Sequence, residues 1–405
     1  MRQPPDRRRA AILAAFALLL GAVAMRFPDP GVPAHSHWCP DPVLVGVDFY
    51  PPYIAAHALR AGQPIYDNLR GRGDAFADPV ADHPGLTSRY TYPPPLAYLT
   101  LPLSWFPAAT AWKIRSVLAI AGLLLALGLL TRLGGGGAGF ALALAVAAAV
   151  FYPLYFVFIN GNVALFCFVL LVIAVYGWTC PGSDWLGAGC LALAIVVKLY
   201  PALFLVYLAI QRRWRLLAYT CLALLVIVAL TASGGAYPRF LERAREFDRF
   251  VQAWYLNASL FAVLVMRGVS LDWAYSAAKA FATLVVGIAL FAVRRPSRDP
   301  RAALHDCGLL SAAMILAPNT NYDYNLIFLL PGVAAFLAGA REEAAGAPGP
   351  LGLAAVSFAV LAVPSHWVQA AGLAANKFPW LLLFFLALLW RRRAGAPVPG
   401  RTVAS

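Results

Sequence analysis

The chain has 405 residues, of which 61% are hydrophobic and 12% charged, with a mean hydropathy of +0.70. Soluble domains are about 45–50% apolar and about 25% charged, and a soluble fold of this length needs far more polar surface to cover its core. A soluble enzyme, a nucleic-acid-binding module and a disordered protein are thereby excluded. The composition predicts an all-α polytopic membrane protein; the membrane expected to hold it, multi-pass, is the plasma (inner) membrane. The net charge of +14 is not the footprint of a nucleic-acid partner. Arginines cluster at the ends of apolar runs, as Arg7-Arg8-Arg9, Arg212-Arg213, Arg294-Arg295 and Arg391-Arg392-Arg393, the pattern that keeps basic loops cytoplasmic. The six cysteines are scattered, with no CxxC pair, which argues against a disulfide framework or a zinc site.

In chain order, residues 1–27 join a basic start to an apolar run with no A-x-A cleavage pattern. They predict a retained N-terminal transmembrane helix with a cytoplasmic N-terminus. Residues 28–107 form a long first extracytoplasmic loop, rich in Asp, Pro and Tyr, that is expected to carry surface or re-entrant helices. Residues 108–393 read as a transmembrane bundle and 394–405 as a cytoplasmic tail. About twelve apolar segments are expected as transmembrane helices, where a crossing takes about 20 mostly apolar residues and fewer where the bundle is locally thin.

Two topologies keep the arginines inside. In one, residues 93–106 do not cross, and residues 185–198 and 200–211 are two short helices. In the other, residues 93–106 cross and 185–211 is one helix kinked at Pro201. The first is preferred, because it gathers the loops bearing Asp48, Asn160, Lys198, Asn257 and Tyr322 on the outer face.

The strongest local signal is Val47-Asp48-Phe49-Tyr50, followed by Gly62-Gln63-Pro64-Ile65-Tyr66-Asp67. A carboxylate held between apolar residues at the membrane surface is suited to take a proton from a hydroxyl. Equally, Asp48 could cap the helix that follows. Tyr92-Pro93-Pro94-Pro95 reads as a helix start. Lys113 and Arg115 open the next helix, where cations suit a lipid phosphate or snorkel at the interface. Lys198 lies in the apolar run Val196-Val197-Lys198-Leu199. A lysine there costs about 2.5–3.5 kcal/mol at the bilayer centre and is a functional candidate, unless it pairs with an acid such as Asp323. Asn160-Gly161-Asn162, Asn257-Ala258-Ser259 and the polar patch at residues 319–325, with Tyr322, offer amides and hydroxyls for a sugar. The same residues also suit turns.

Taken in order, the DFY block at Asp48, the G-x-P-x-Y-D block, Y-P-P, the N-G-N turn, Lys198-x-Tyr-Pro, N-x-S-L and the Asn-rich block ending in Tyr322-Asp323-Tyr324 resemble glycosyltransferase family 87. That resemblance implies a GT-C fold and a mannosyltransferase-like activity. A hexose, mannose by the resemblance, would pass from a polyprenyl-phosphate donor to a lipid or glycan acceptor on the extracytoplasmic face. It also implies that Asp48 is the catalytic acidic residue and that Lys198, with Lys113 or Arg115, holds the lipid phosphate. Asn160, Asn162, Asn257 and Tyr322 complete the expected substrate-binding set. The chain departs from the family pattern at Asn162 and Ala258, where members often carry Gln, and lacks a His in the block at residues 319–324. No cofactor or metal cage is expected from a single carboxylate. The competing class is a transporter or flippase of a lipid-linked sugar, which would need the cations but no base, and would show repeat symmetry.

Overall fold

The computed structural model describes residues 33–36, 39–44, 46–66, 90–180, 182–249, 256–297, 299–343, 349–374 and 376–394. The expected N-terminal helix, residues 67–89 of the outer loop and residues 395–405 of the tail lie outside the described residues.

The all-α expectation holds for the body of the chain. The departure is an antiparallel hairpin in the outer loop, β1 (Pro33–Ser36) with β2 (Cys39–Leu44). It is followed by α1 (Tyr50–Arg60), whose first turn carries Pro51 and Pro52, where a missing N–H leaves nothing unpaired. α1 is not a solvated surface helix. Tyr50, Ile54, Ala55, Ala56 and Ala58 are all buried, and Phe49 before it sets its ring edge-on to Trp112 at 5.4 Å and stacks on Tyr53 at 5.2 Å. α2 (Pro94–Thr100) begins within the proline run and passes into a 3-10 turn, Leu101–Trp105. At about 1.5 Å rise per residue α2 covers only about 10 Å, too little to cross a bilayer.

α3 (Ala108–Leu133, 26 residues) and the later helix Leu271–Ala292 (22 residues) are the described helices long and apolar enough to span a membrane. A third crossing is available if α4 (Ala138–Ala149) and α5 (Tyr152–Asn160), bent by 60° at their junction, form one broken span. The bend has a cause in sequence: Phe151 is extended and Pro153 sits in the first turn of α5, a residue that would clash with a continuous helix. Among the described residues, length and apolarity alone thus identify two or three of the about twelve expected transmembrane helices. The other apolar runs form shorter helices, among them α6 (Ala164–Thr179), α7 (Asp184–Val197), α8 (Leu203–Ile210) and α9 (Trp214–Leu230). Each ends where a glycine, a proline or a polar residue interrupts the run. Between α7 and α8 the interruption is Lys198 and a 3-10 turn over Tyr200–Ala202, so residues 185–211 are two helices rather than one.

These breaks sort the chain into two ends. At one end Arg213 donates to the carbonyls of Trp178 at 2.7 Å and Ser297 at 2.8 Å. There Gln211 also holds the backbone at Val293, and Arg392 pairs with the buried Asp306 at 3.1 Å. α6 ends at that end, and the helix Pro300–Leu316 begins there and runs away from it. At the other end lie the turn before α1, the 160–162 turn, Lys198 and residues 319–325. The core between them is a continuous apolar cluster that includes Leu123, Leu127, Phe168, Phe204, Phe328 and Phe384.

The arginine-bearing end predicts orientation. Cysteines introduced at exposed Leu99 and at Arg215 should label with an impermeant maleimide from opposite sides of the membrane, position 99 from outside. Labelling of both from one side would refute the two-ended arrangement.

Candidate active site

Asp48 lies in a turn whose backbone is stapled to the end of α5. Gly46 N–H donates to the Ile159 carbonyl and Asp48 N–H to the Asn160 carbonyl, each at 2.8 Å. The next residue, Gly161, adopts φ 69°. A Cβ there would sit 2.6 Å from the Trp112 ring and 2.7 Å from Phe49 Cβ, so the close approach of the two segments requires glycine. Asn162 then makes three contacts at once. Its Nδ2 donates to Asp48 Oδ2 at 2.9 Å, its Oδ1 accepts from Ala164 N–H at 2.8 Å, and its carbonyl accepts from Arg115 Nη2 at 3.0 Å. The helix-cap alternative for Asp48 is not realised, because Phe49 occupies the N-cap of α1 and makes no side-chain cap bond.

Arg115 is buried on α3, its guanidinium 5.4 Å from the Trp112 ring centroid and 5.6 Å from that of Phe166. Among the described residues its buried Nη1 has no hydrogen-bond partner. Lys113 is exposed and stays out of the cluster. Positions two apart on an α-helix lie about 200° apart around its axis, so Lys113 and Arg115 cannot face the same cavity.

Lys198 is extended, at φ −145° after the last turn of α7, and 9% exposed. Its Nζ donates to Asn325 Oδ1 at 2.9 Å and lies 4.9 Å from the Tyr324 ring centroid and 5.7 Å from that of Tyr200. The open pairing with Asp323 is not made. Asp323 instead receives Lys377 Nζ at 3.0 Å and Ser365 Oγ at 2.8 Å. Among the described residues no carboxylate is in ion-pair contact with Arg115 or Lys198.

The charges nevertheless act on one another. Burial pushes the Asp48 carboxyl above the ordinary range, and the Asn162 hydrogen bond with the positive charges of Lys198 and Arg115 draws it back only in part. Burial, reinforced by the Asp48 charge, raises the phenols of Tyr92 and Tyr322, so both remain neutral hydroxyls at neutral pH. The cluster thus sets one buried carboxyl near two buried cations. Among the described residues no three His, Cys, Asp or Glu side chains gather.

Of the expected site residues, Asp48, Arg115, Asn160, Asn162, Lys198 and Tyr322 converge here. Asn160 enters through its carbonyl. Asn257 lies behind the 319–325 loop with its amide engaged on backbone. Nδ2 donates to the Asn319 carbonyl at 3.0 Å and Oδ1 accepts from Asn321 N–H at 2.8 Å. It shapes the loop rather than lining the cluster. The residues not singled out from sequence are Tyr92, Tyr200, Tyr324 and Asn325. Asn325 was within the recognised polar patch, and Tyr92 was hidden in a block that reads as a helix start.

The model of glycosyltransferase family 87 matches residues 90–318, more than half of the chain, and the chain belongs to that family. It is a membrane glycosyltransferase. Crystal structures of ArnT from Cupriavidus metallidurans, one bound to undecaprenyl phosphate and one in the apo state, align with 95% of this chain and 75% of their own at 14% identity. Their TM-scores are 0.46 and 0.45. No curated protein sequence matches the chain.

The raised carboxyl makes a pH prediction. A base works only when ionised, so activity should fall as pH drops, and the midpoint should lie above the ordinary Asp value of 3.8. An acid limb at or below that value would contradict the role of base expected of Asp48.

Proposed function

We propose that the chain transfers a hexose, mannose by the family resemblance, from a polyprenyl phosphate to a hydroxyl of a lipid or glycan acceptor on the extracytoplasmic face. Asp48 serves as the general base. The observation that carries the reading is the convergence of Asp48 with Arg115 and Lys198, which approach one carboxylate without forming an ion pair with it.

The chemistry balances with these groups. Asp48 removes the acceptor proton as the hydroxyl oxygen forms its bond to the anomeric carbon. The bond from that carbon to the phosphate oxygen breaks, and the electron pair leaves on the polyprenyl phosphate. The departing phosphate is a stable anion and needs no proton. Its added charge is met by Arg115 and Lys198, fixed donors in a water-poor site, where such interactions count for more than in water. The faces and hydroxyls of Tyr92, Tyr200, Tyr322 and Tyr324 suit the apolar and polar sides of a pyranose. A transporter of the same lipid would use the cations but has no role for a carboxylate of raised pKa beside them.

Membranes carrying the protein, supplied with radiolabelled polyprenyl-phosphate mannose, should yield a labelled acceptor. Asp48→Asn keeps volume and can still accept from Asn162, so expression should persist while turnover drops by roughly 10²–10⁴-fold. Full transfer by that variant would remove Asp48 from the mechanism. Lys198→Met should raise the apparent KM for the donor by about 10–100-fold, the scale of a charge-assisted hydrogen bond of about 1.5–3 kcal/mol. Unchanged donor kinetics would reduce Lys198 to a structural ion.

A further inference from the structure

The family match ends at residue 318, yet the segment immediately after it reaches the cluster. Residues 319–325 bring Tyr322 and Tyr324, together with Asn325, which accepts from Lys198 Nζ at 2.9 Å. Asp323, between them, faces the other way and is fully buried. Behind the loop it is gripped by residues from the last part of the chain. Ser365 Oγ donates to both carboxylate oxygens at 2.8 Å, and Lys377 Nζ donates to Oδ2 at 3.0 Å and to the Leu361 carbonyl at 3.2 Å. Both members of the ion pair have side-chain exposures of 0%. The neighbouring Asn376 donates through Nδ2 to the Asn257 carbonyl at 2.6 Å, and Asn257 in turn holds Asn319 and Asn321. The C-terminal elements thus hold the back of a loop whose front holds Lys198.

We propose that the Asp323–Ser365–Lys377 clasp is a positioning device for donor binding. It fixes Asn325, and through Asn325 it fixes the ammonium of Lys198 where the donor phosphate is received. Lys377, Asp323 and Ser365 touch no substrate in this account. A buried lysine and carboxylate so deep in an apolar bundle are costly to keep and contribute little net stability compared with an apolar replacement; here they fix one loop conformation. The inference rests on the assignment of Lys198 to the phosphate.

The test is a double-mutant cycle read on the affinity of the purified protein for a polyprenyl monophosphate. The probe isolates phosphate capture from sugar and acceptor. The clasp is removed as the charge-neutral pair Asp323→Asn with Lys377→Met, which leaves no unpaired buried charge, and separately by the milder Ser365→Ala. Thermal unfolding confirms that each is folded. Either clasp variant should weaken binding, the pair by about 10-fold, in the otherwise unaltered chain, and should add nothing in a Lys198→Met background. Affinity unchanged in both clasp variants, or losses that multiply fully with that of Lys198→Met, would overturn the inference. If Lys198→Met itself leaves the affinity unchanged, it is the phosphate assignment that fails, and the clasp inference falls with it; if Lys198→Met weakens binding and the clasp variants do not, the phosphate assignment stands and the clasp alone is refuted.

Discussion

The structure depends on keeping opposite charges near one another without letting them cancel. A carboxylate and a guanidinium in an apolar bundle would ordinarily collapse into an ion pair, satisfying both and leaving neither for chemistry. Asn162 prevents this by standing between them. Its amide takes Asp48 on one side and its carbonyl takes Arg115 on the other. Lys198 is held off in the same manner by the neutral Asn325 and by tyrosine faces. Amides satisfy hydrogen-bonding demand without neutralising charge, so the charges of the cluster stay unneutralised by one another, as the proposed chemistry requires. The acid that could have quenched Lys198, Asp323, is committed to Lys377 instead.

The broken helices follow from the same requirement. Backbone that leaves the helical path at membrane depth is tolerated only where it is buried in protein or lines a cavity. Here the breaks fall at residues 160–162, at Lys198 and at residues 319–325, and the structure brings all of them to one end of the bundle. A straight helix would carry Lys198 past the site in mid-bundle. Ending α7 one residue earlier places the ammonium at a chain turn, where its direction is set by Asn325. The 60° bend between α4 and α5 does the same for the turn that receives Asp48.

Much of this was legible in the sequence because it is local. Apolar runs interrupted by Gly, Pro and Asn gave the helices and their ends to within a few residues. Asp48 and Lys198 stood out as charges where charge is costly. Lys113 and Arg115 were both kept as candidates from the sequence, although helical periodicity allows only one of them inward; burial shows that it is Arg115. Helix length was less legible: runs that look continuous, such as residues 138–157, break at a proline that a hydropathy count passes over. What sequence could not supply was pairing across the fold. Asp323 and Lys377 are 54 residues apart, and Asn257 reads equally as a sugar ligand or a turn former, its hold on the backbone at residues 319–321 becoming visible only in the fold.

The central claim is that the donor phosphate is received between Arg115 and Lys198, with Asp48 facing the bond that breaks. A structure of the protein with a polyprenyl monophosphate tests it most directly. Phosphate oxygens are expected within hydrogen-bond reach of Arg115 Nη1, which has no partner among the described residues, and of Lys198 Nζ. A phosphate bound instead at the arginine-rich end near Arg213 and Arg392, with Arg115 and Lys198 unmoved and empty-handed, would contradict it.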